Sequence, residues 1–268
     1  MSIITISRGS YSRGKEVAEK VAEKLGYGCI SRDILLMASK EFNIPEIKLV
    51  RAIHDAPSVL GRFGYGKEKY IAFIESAILR HFKANNTVYC GLAGHFFVKG
   101  VSHVLKVRIL AEFEDRVASE VKREGTTAKE AADLLRKDDE ERKKWSKHLY
   151  GIDTGDPSLY DLVIHIKKIG VDDAVELICM AAQLEQFKTT PQSQKLVEDL
   201  ALAAEVRAAL VDLKANVRVQ ASDGRIRIRA DVNESKDMAV VRDMERIASS
   251  IEGVRSVTME VRPRDPVD

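Results

Sequence analysis

Residues 1–26 read MSIITISRGSYSRGKEVAEKVAEKLG. An apolar run from Ile3 to Ile6 stops at Ser7, passes through Gly9 and Gly14, and enters a helical pattern at once. Val17, Val21 and Leu25 recur at every fourth position with glutamate and lysine between them, which gives that segment one apolar face. Gly9-Ser10-Tyr11-Ser12-Arg13-Gly14-Lys15 fits the phosphate-loop pattern G-x-x-x-x-G-K between strand and helix. Glycines let backbone N–H groups turn inward around phosphate oxygens. A helix N-terminus behind the loop adds the positive end of its dipole. Lys15 supplies a cation for a transferred phosphoryl group. The eighth position, where serine or threonine normally ligates Mg²⁺, holds Glu16. That carboxylate reads either as a metal contact or as a solvated first-turn acid favoured by the dipole, and the second reading is preferred. The expected phosphate-binding residues are therefore Gly9, Ser10, Ser12, Arg13, Gly14, Lys15 and Glu16.

Further strand candidates follow: YGCI (27–30), TVYC (87–90), VLKVRIL (104–110) and DLVIHI (161–166), with long amphipathic segments between them. This alternation predicts an α/β domain, a parallel sheet with helices on both faces. Ligands of such sheets bind at the carboxyl ends of the strands, where the glycine loop falls. Arg32-Asp33 follows the second strand, and its arginine suits an acceptor phosphate as well as an ion pair within the loop. Gly91 and His95 lie at the end of the third strand; His95 reads as a polar pocket residue or a packed one. Thr127 to Glu130 forms a capping box that opens a helix carrying Arg136, Lys137, Arg142, Lys143 and Lys144. Asp138 and Asp139 precede Arg142 by four and three residues, the spacing that would hold its guanidinium. Phosphoryl transfer needs positioned cations, so Arg136 and Arg142 are candidate catalytic residues; the alternative is a solvated charged helix. Arg116 is a second candidate for the donor nucleotide.

After residue 186 the pattern changes. QFKTTPQSQK (186–195) is polar with a proline and predicts a linker. LVEDLALAAEVRAAL (196–210) is helical, and NVRVQA and RIRIRADV flank a Ser222-Asp223-Gly224 hairpin signal. A helix at 238–251 and a strand at 254–261 complete the order helix, strand, strand, helix, strand, a small α+β unit. Period two puts Arg225, Arg227 and Arg229 on one sheet face, with Arg218 opposite Arg229. Such a patch suits an anionic lipid, a nucleic acid or a nucleotide. The alternative is a solvent-facing side balanced by acids of the helices. The expected domains are 1–186, a linker at 187–195, and 196–262.

The totals narrow the classes. The 268 residues suffice for two cores, and a net charge of +2 gives no global attraction to polyanions. Cys29, Cys90 and Cys179 are odd in number and far apart, which argues for a reducing compartment, the cytoplasm, and against a disulfide scaffold. Six scattered histidines show no metal-ligand spacing. No apolar run spans a membrane and no signal peptide is expected.

With the loop, the strands and the charged helix in view, residues 1 to about 186 resemble the cytidylate-kinase-like family of P-loop nucleoside monophosphate kinases. The carrying stretches are ITISRGSYSRGKEVAEKVAEKLGY, VYCGLAGHFFVKG and RKDDEERKKWSKHLYGIDTGDPSLYDLVIHI. The resemblance implies a five-stranded parallel sheet in the order 2-3-1-4-5, a mobile lid, and ATP with Mg²⁺ as donor. It makes a loop ending in Gly-Lys-Glu a feature of this branch. True cytidylate kinases carry Gly-Arg-Asp after the third strand, where Gly91-Leu92-Ala93 stands here, and Arg-Asp-x-Arg-Asp in the lid, where Lys137 to Glu141 reads KDDEE. Residues 196–262 resemble a BON domain, a module proposed to bind phospholipid or other ligands. The expected function is an ATP-dependent kinase of a small, nucleotide-like phosphorylated acceptor with a BON-like module. The rivals are a nucleotide-binding sensor with little turnover and an interaction protein with a vestigial loop. Acceptor identity and oligomeric state stay open.

Overall fold

The computed structural model describes residues 2–9, 12–31, 66–91, 94–214, 216–232 and 238–263. The chain divides into two compact units, Met1–Arg62 with Ala84–Thr190, and Phe63–Lys83 with Pro191–Asp268.

The first unit is built on β1 (Ile3–Arg8), β2 (Gly28–Ile30), β3 (Thr87–Cys90), β4 (Val104–Ala111) and β5 (Leu162–Ile166). All pairings are parallel and the order is β2-β3-β1-β4-β5. Each of the five strands expected in this unit is present to within one residue at each end. Helix α1 (Gly14–Leu25) follows β1. Within α1, Val17 and Val21 are fully buried, the apolar face read from their spacing. The other crossovers of this unit are α3 (Gly94–Phe97), α4 (Phe113–Glu124), α5 (Ala128–Tyr150) and α6 (Val171–Ala182); α2 (Gly66–Lys83) belongs to the second unit.

Alternation along the strands gives the sheet two unlike faces. Ile4, Ile6, Val88, Cys90, Leu105, Val107, Ile109, Ile164 and Ile166 point to one side and pack with the buried faces of α1 and α6. The residues between them, Thr5, Ser7, Tyr89, Lys106 and Arg108, point to the other. That second face is polar along its central strands.

The second unit contains α2, α7 (Pro191–Leu210), β6 (Arg218–Ser222), β7 (Arg225–Val232), α8 (Met238–Ser249) and β8 (Ser256–Pro263). β6 and β7 are antiparallel, and β7 and β8 are parallel. Asp223 and Gly224 both have positive φ, 55° and 75°, the two-residue turn whose twist suits a hairpin. The inward residues Val217, Ile226, Ile228 and Ala230 pack with Val206, Leu210, Val241, Met244 and Ala248.

Two expectations change here. Helix α7 begins at Pro191, inside the expected linker, so only 188–190 lies outside helices there. Proline at the first helical position loses no hydrogen bond, because that N–H has no intrahelical partner. The residue read as a break is a start. Secondly, 66–83 was expected within the first domain, but α2 runs with α7. Arg207 pairs with Glu75 at 2.7 Å, Lys69 pairs with Asp212, and the Gln194 amide donates to Lys83 O at 3.0 Å. Burial pushes the Glu75 carboxyl up, against the pull of Arg207.

Candidate functional site: a glycine loop under two oriented arginines

The loop after β1 is closed by its own polar groups. Gly9 N–H donates to Ile109 O and Ser12 N–H donates to Gly9 O, each at 3.4 Å. Ser12 is fully buried, and its hydroxyl lies 3.1 Å from both Gly9 O and Ile109 O. Its proton is used inside the loop, so the side chain pins the turn where a phosphate contact was expected. Arg13 sits in the left-handed region at φ 60° and ψ 10°, turning the chain into α1. Gly14 is required by space: a Cβ there would stand 2.8 Å from Arg8 Cβ. Val17 N–H is bonded to Arg13 O. The earlier N–H groups of α1 have no intrahelical acceptor and form the positive end of the helix.

Both Glu16 oxygens are held by Arg13, at 2.9 and 3.0 Å, and Lys20 stands 3.8 Å away. This is the first-turn acid reading. Lys15 is 62% exposed and pairs with Glu19 at 3.5 Å. Ser10 lies outside the described residues, as do Arg32 and Asp33, so the structure does not place these three.

Two arginines reach the loop. Arg116, on α4, is buried, with its guanidinium nitrogen 3.6 Å from where a Gly9 Cβ would stand. It is bound by Asp139 of α5 at 2.7 Å. Asp139, which the sequence placed within reach of Arg142, crosses to α4 to bind Arg116. Arg142 donates to Arg8 O at 3.4 Å, which brings α5 to the end of β1. Arg136 is 66% exposed beside Asp133, with its guanidinium 4.9 Å from the Phe113 ring. Glu140 pairs with Lys144 along the same helix at 2.7 Å. Thr127 and Glu130 form the expected capping box, and those hydrogen bonds hold the Glu130 carboxyl down at about 2.

At the end of β3, Gly91 and Gly94 flank the buried Tyr89 ring. A Cβ at Gly91 would meet Tyr89 Oη at 2.5 Å, and one at Gly94 would meet the ring itself. Gly91 is thus needed for packing, a reason the sequence reading did not contain. His95 is 7% exposed and its ring packs 5.1 Å from Tyr160. Burial, with Lys106 and Arg108 nearby, lowers its pKa to about 4.

Sequence reasoning passed over Arg108 and Tyr160. Arg108 donates to Tyr160 Oη at 3.0 Å and lies 3.5 Å from Ser7 Oγ. The available signal was a pair of cations, Lys106 and Arg108, at alternate positions of a central strand.

No described helix is long and apolar enough to cross a membrane. Among the described residues no cluster of three His, Cys, Asp or Glu side chains is arranged to hold a metal ion.

A cytidylate kinase from Archaeoglobus fulgidus is 30% identical over 190 residues, covering 69% of this chain and 97% of its own. The crystal structure of an uncharacterized protein from Eubacterium ventriosum superposes with a TM-score of 0.52 at 24% identity, covering 68% of this chain and 98% of that one, and shares the fold. The sequence pattern of the cytidylate kinase-like family matches residues 3–168, and the chain belongs to that family.

Proposed function

We propose that the first unit is an ATP-dependent kinase of a small, nucleotide-like acceptor. The observation that carries this reading is the convergence of Arg116 and Arg142 on a glycine loop that opens a helix. The loop fits a nucleotide triphosphate: Gly9 leaves room beside the Arg116 guanidinium that a Cβ would fill. The free N–H groups of Gly14, Lys15 and Glu16 would hold the donor phosphates. Lys15, unconstrained apart from Glu19, would swing to them, and Arg116 would contact the donor. Arg142, with Arg136, would neutralise charge that develops on the moving phosphoryl group. Gly91, His95 and, beyond the described residues, Arg32 and Asp33 would border the acceptor.

Family membership implies Mg²⁺ in general. Among the described residues the donor set does not fit a protein-held ion, because Glu16 is engaged by Arg13. No step is assigned to the metal. The α-β-β-α-β order from 191 to 263 supports a BON-like module in the second unit.

A sensor with little turnover is the second reading, favoured by Leu92-Ala93 in place of an arginine and an aspartate. Two measurements decide. ATP should stabilise the fold by mass action, by about 2.7 kcal/mol at a hundredfold excess over Kd, and so raise the melting temperature. Lys15→Ala should remove most of that shift without unfolding the protein. Multiple-turnover ATP consumption with a panel of nucleoside monophosphates then separates kinase from sensor. Absence of any shift at millimolar ATP with Mg²⁺ would leave the loop vestigial.

A further inference from the structure

The second face of the sheet carries a cation that has no counter-ion among the described residues. Arg108 is half-buried on β4, between Ser7 of β1 and Val163 of β5 in the register. Its partners are neutral: the Tyr160 hydroxyl, the Ser7 hydroxyl, and the Tyr160 ring 5.4 Å from the guanidinium carbon. Both hydrogen bonds use Nη1. Among the described residues neither Nε nor Nη2 has an acceptor and no carboxylate lies within ion-pair distance. Its neighbour on the strand, Lys106, differs in having Asp161 at 3.8 Å. A guanidinium has five donors in a planar fork, so most of this one is unspent.

Two further polar atoms beside it are buried without partners. His95 is 93% buried by its 7% exposure, and its Nε2 has no hydrogen-bond partner. The ring packs, tilted by 44°, against the same Tyr160 that Arg108 touches. Thr5 Oγ1, one pair back along β1 and opposite Lys106 and Tyr89, is likewise buried and unbonded. Buried polar atoms are nearly always satisfied, and each exception needs a reason. Tyr160 Oη already donates to Thr154 O at 3.0 Å, so its proton is spent. An unpaired cation, an unbonded imidazole nitrogen and the Ser7 hydroxyl in one place form a set of donors that lacks an acceptor. The group that satisfies all of them is an oxyanion.

We infer that Arg108, Ser7, His95 and Tyr160 form a subsite for the anionic group of the acceptor, a phosphate monoester. This rests on the kinase reading above. It accounts for Leu92-Ala93 after β3: the cation that would hold the acceptor phosphate is supplied from β4 instead. Arg108 donates to two phosphate oxygens from its open edge, where planar bidentate geometry is strongest. Neutral His95 donates from Nε2 when its proton sits there, the Ser7 hydroxyl turns toward the remaining oxygen, and Tyr160, its own proton given to Thr154 O, holds the Arg108 guanidinium in place.

The test needs no ATP, so its failure is separable from failure of the kinase reading. His95 ring resonances are followed by NMR while CMP, cytidine and inorganic phosphate are added in turn to the full chain. CMP and phosphate should shift the His95 signals and cytidine should not. Arg108→Gln should weaken the CMP response about ten- to a hundredfold, the loss expected for charged hydrogen bonds. Arg108→Lys should retain part of it, and Lys15→Ala should leave it intact. If Arg108→Gln does not fold, Arg108→Lys and the CMP–cytidine contrast still decide. The inference is overturned if His95 is unmoved at tens of millimolar CMP or phosphate, if cytidine acts as well as CMP, or if Arg108→Gln responds like the wild type.

Discussion

Two regions of this molecule collect arginines, and they differ in what surrounds the guanidinium. At the glycine loop, Arg116 is buried and fixed by Asp139, and Arg142 is turned onto a backbone carbonyl at the end of a strand. On the second unit's sheet, Arg218, Arg225, Arg227 and Arg229 share the face opposite the core, and Glu260 of β8 bridges Arg227 at 3.1 Å and Arg229. The acid that balances this face comes from the neighbouring strand, where the sequence pointed to the helices. Cost explains the difference. A buried cation must be matched by a partner or a ligand, so its position carries information about chemistry. An exposed one loses little by sitting anywhere on a wet face. Count and spacing of arginines look alike in the two regions; desolvation separates them.

The largest effect expected from this contrast lies at Arg142. Arg142→Ala should cost on the order of 10²-fold in turnover with ATP affinity nearly unchanged, because its charge is needed most as the phosphoryl group moves. Arg142→Lys should restore only part. Steady-state kinetics beside ATP titration reads both, and a wild-type rate in Arg142→Ala would erase the distinction between the regions.

Next comes the tie across α4 and α5. Asp139→Asn leaves Arg116, with its side chain only 10% exposed, without its charged partner. Stability should fall by about 1–3 kcal/mol in denaturant melts. A loss as small as that of an exposed pair would mean that Arg116 is solvated in practice.

The pH dependence sharpens the same point. His95 has its folded pKa lowered to about 4, from 6.5. The folded state therefore binds fewer protons in that window, and stability should rise with pH from about 4 to 6.5. His81 and His103 are also lowered and act in the same direction, so the comparison is wild type against His95→Gln, which should be the flatter of the two. Equal slopes would remove His95 from the buried side of the contrast.

The smallest effects belong to the exposed face. Arg227→Gln should change stability by no more than about 0.5 kcal/mol. Glu260→Gln should delay elution from an anionic resin, since it removes the one acid found bridging Arg227 and Arg229. An unchanged elution would show that the four arginines do not act together as a patch.

Much was legible in the sequence because it depended on neighbours along the chain. Strand ends, the apolar stripe of α1, the capping box at Thr127 and the Asp223-Gly224 turn are set by residues within a few positions of one another. The glycine loop was legible for the same reason. Pro191 was misread because one residue type serves two local purposes, ending a segment or opening a helix, and only the packing of α7 with α2 chooses between them. Gly91 was assigned to the acceptor on its place after β3, while the space it leaves for Tyr89 could not be seen without the fold.

What the sequence determined by itself was the alternation of elements and the place of the phosphate loop, because periodicity and turn chemistry act over short spans. The tertiary structure decided which charge meets which. Asp139 had Arg142 within reach on its own helix and pairs with Arg116 across 23 residues. Ser12 binds a carbonyl 97 residues away, and Arg108 joins Tyr160 and, across the sheet, Ser7. Those choices rest on burial, and burial is a property of the packed sheet and helices that no stretch of residues contains alone.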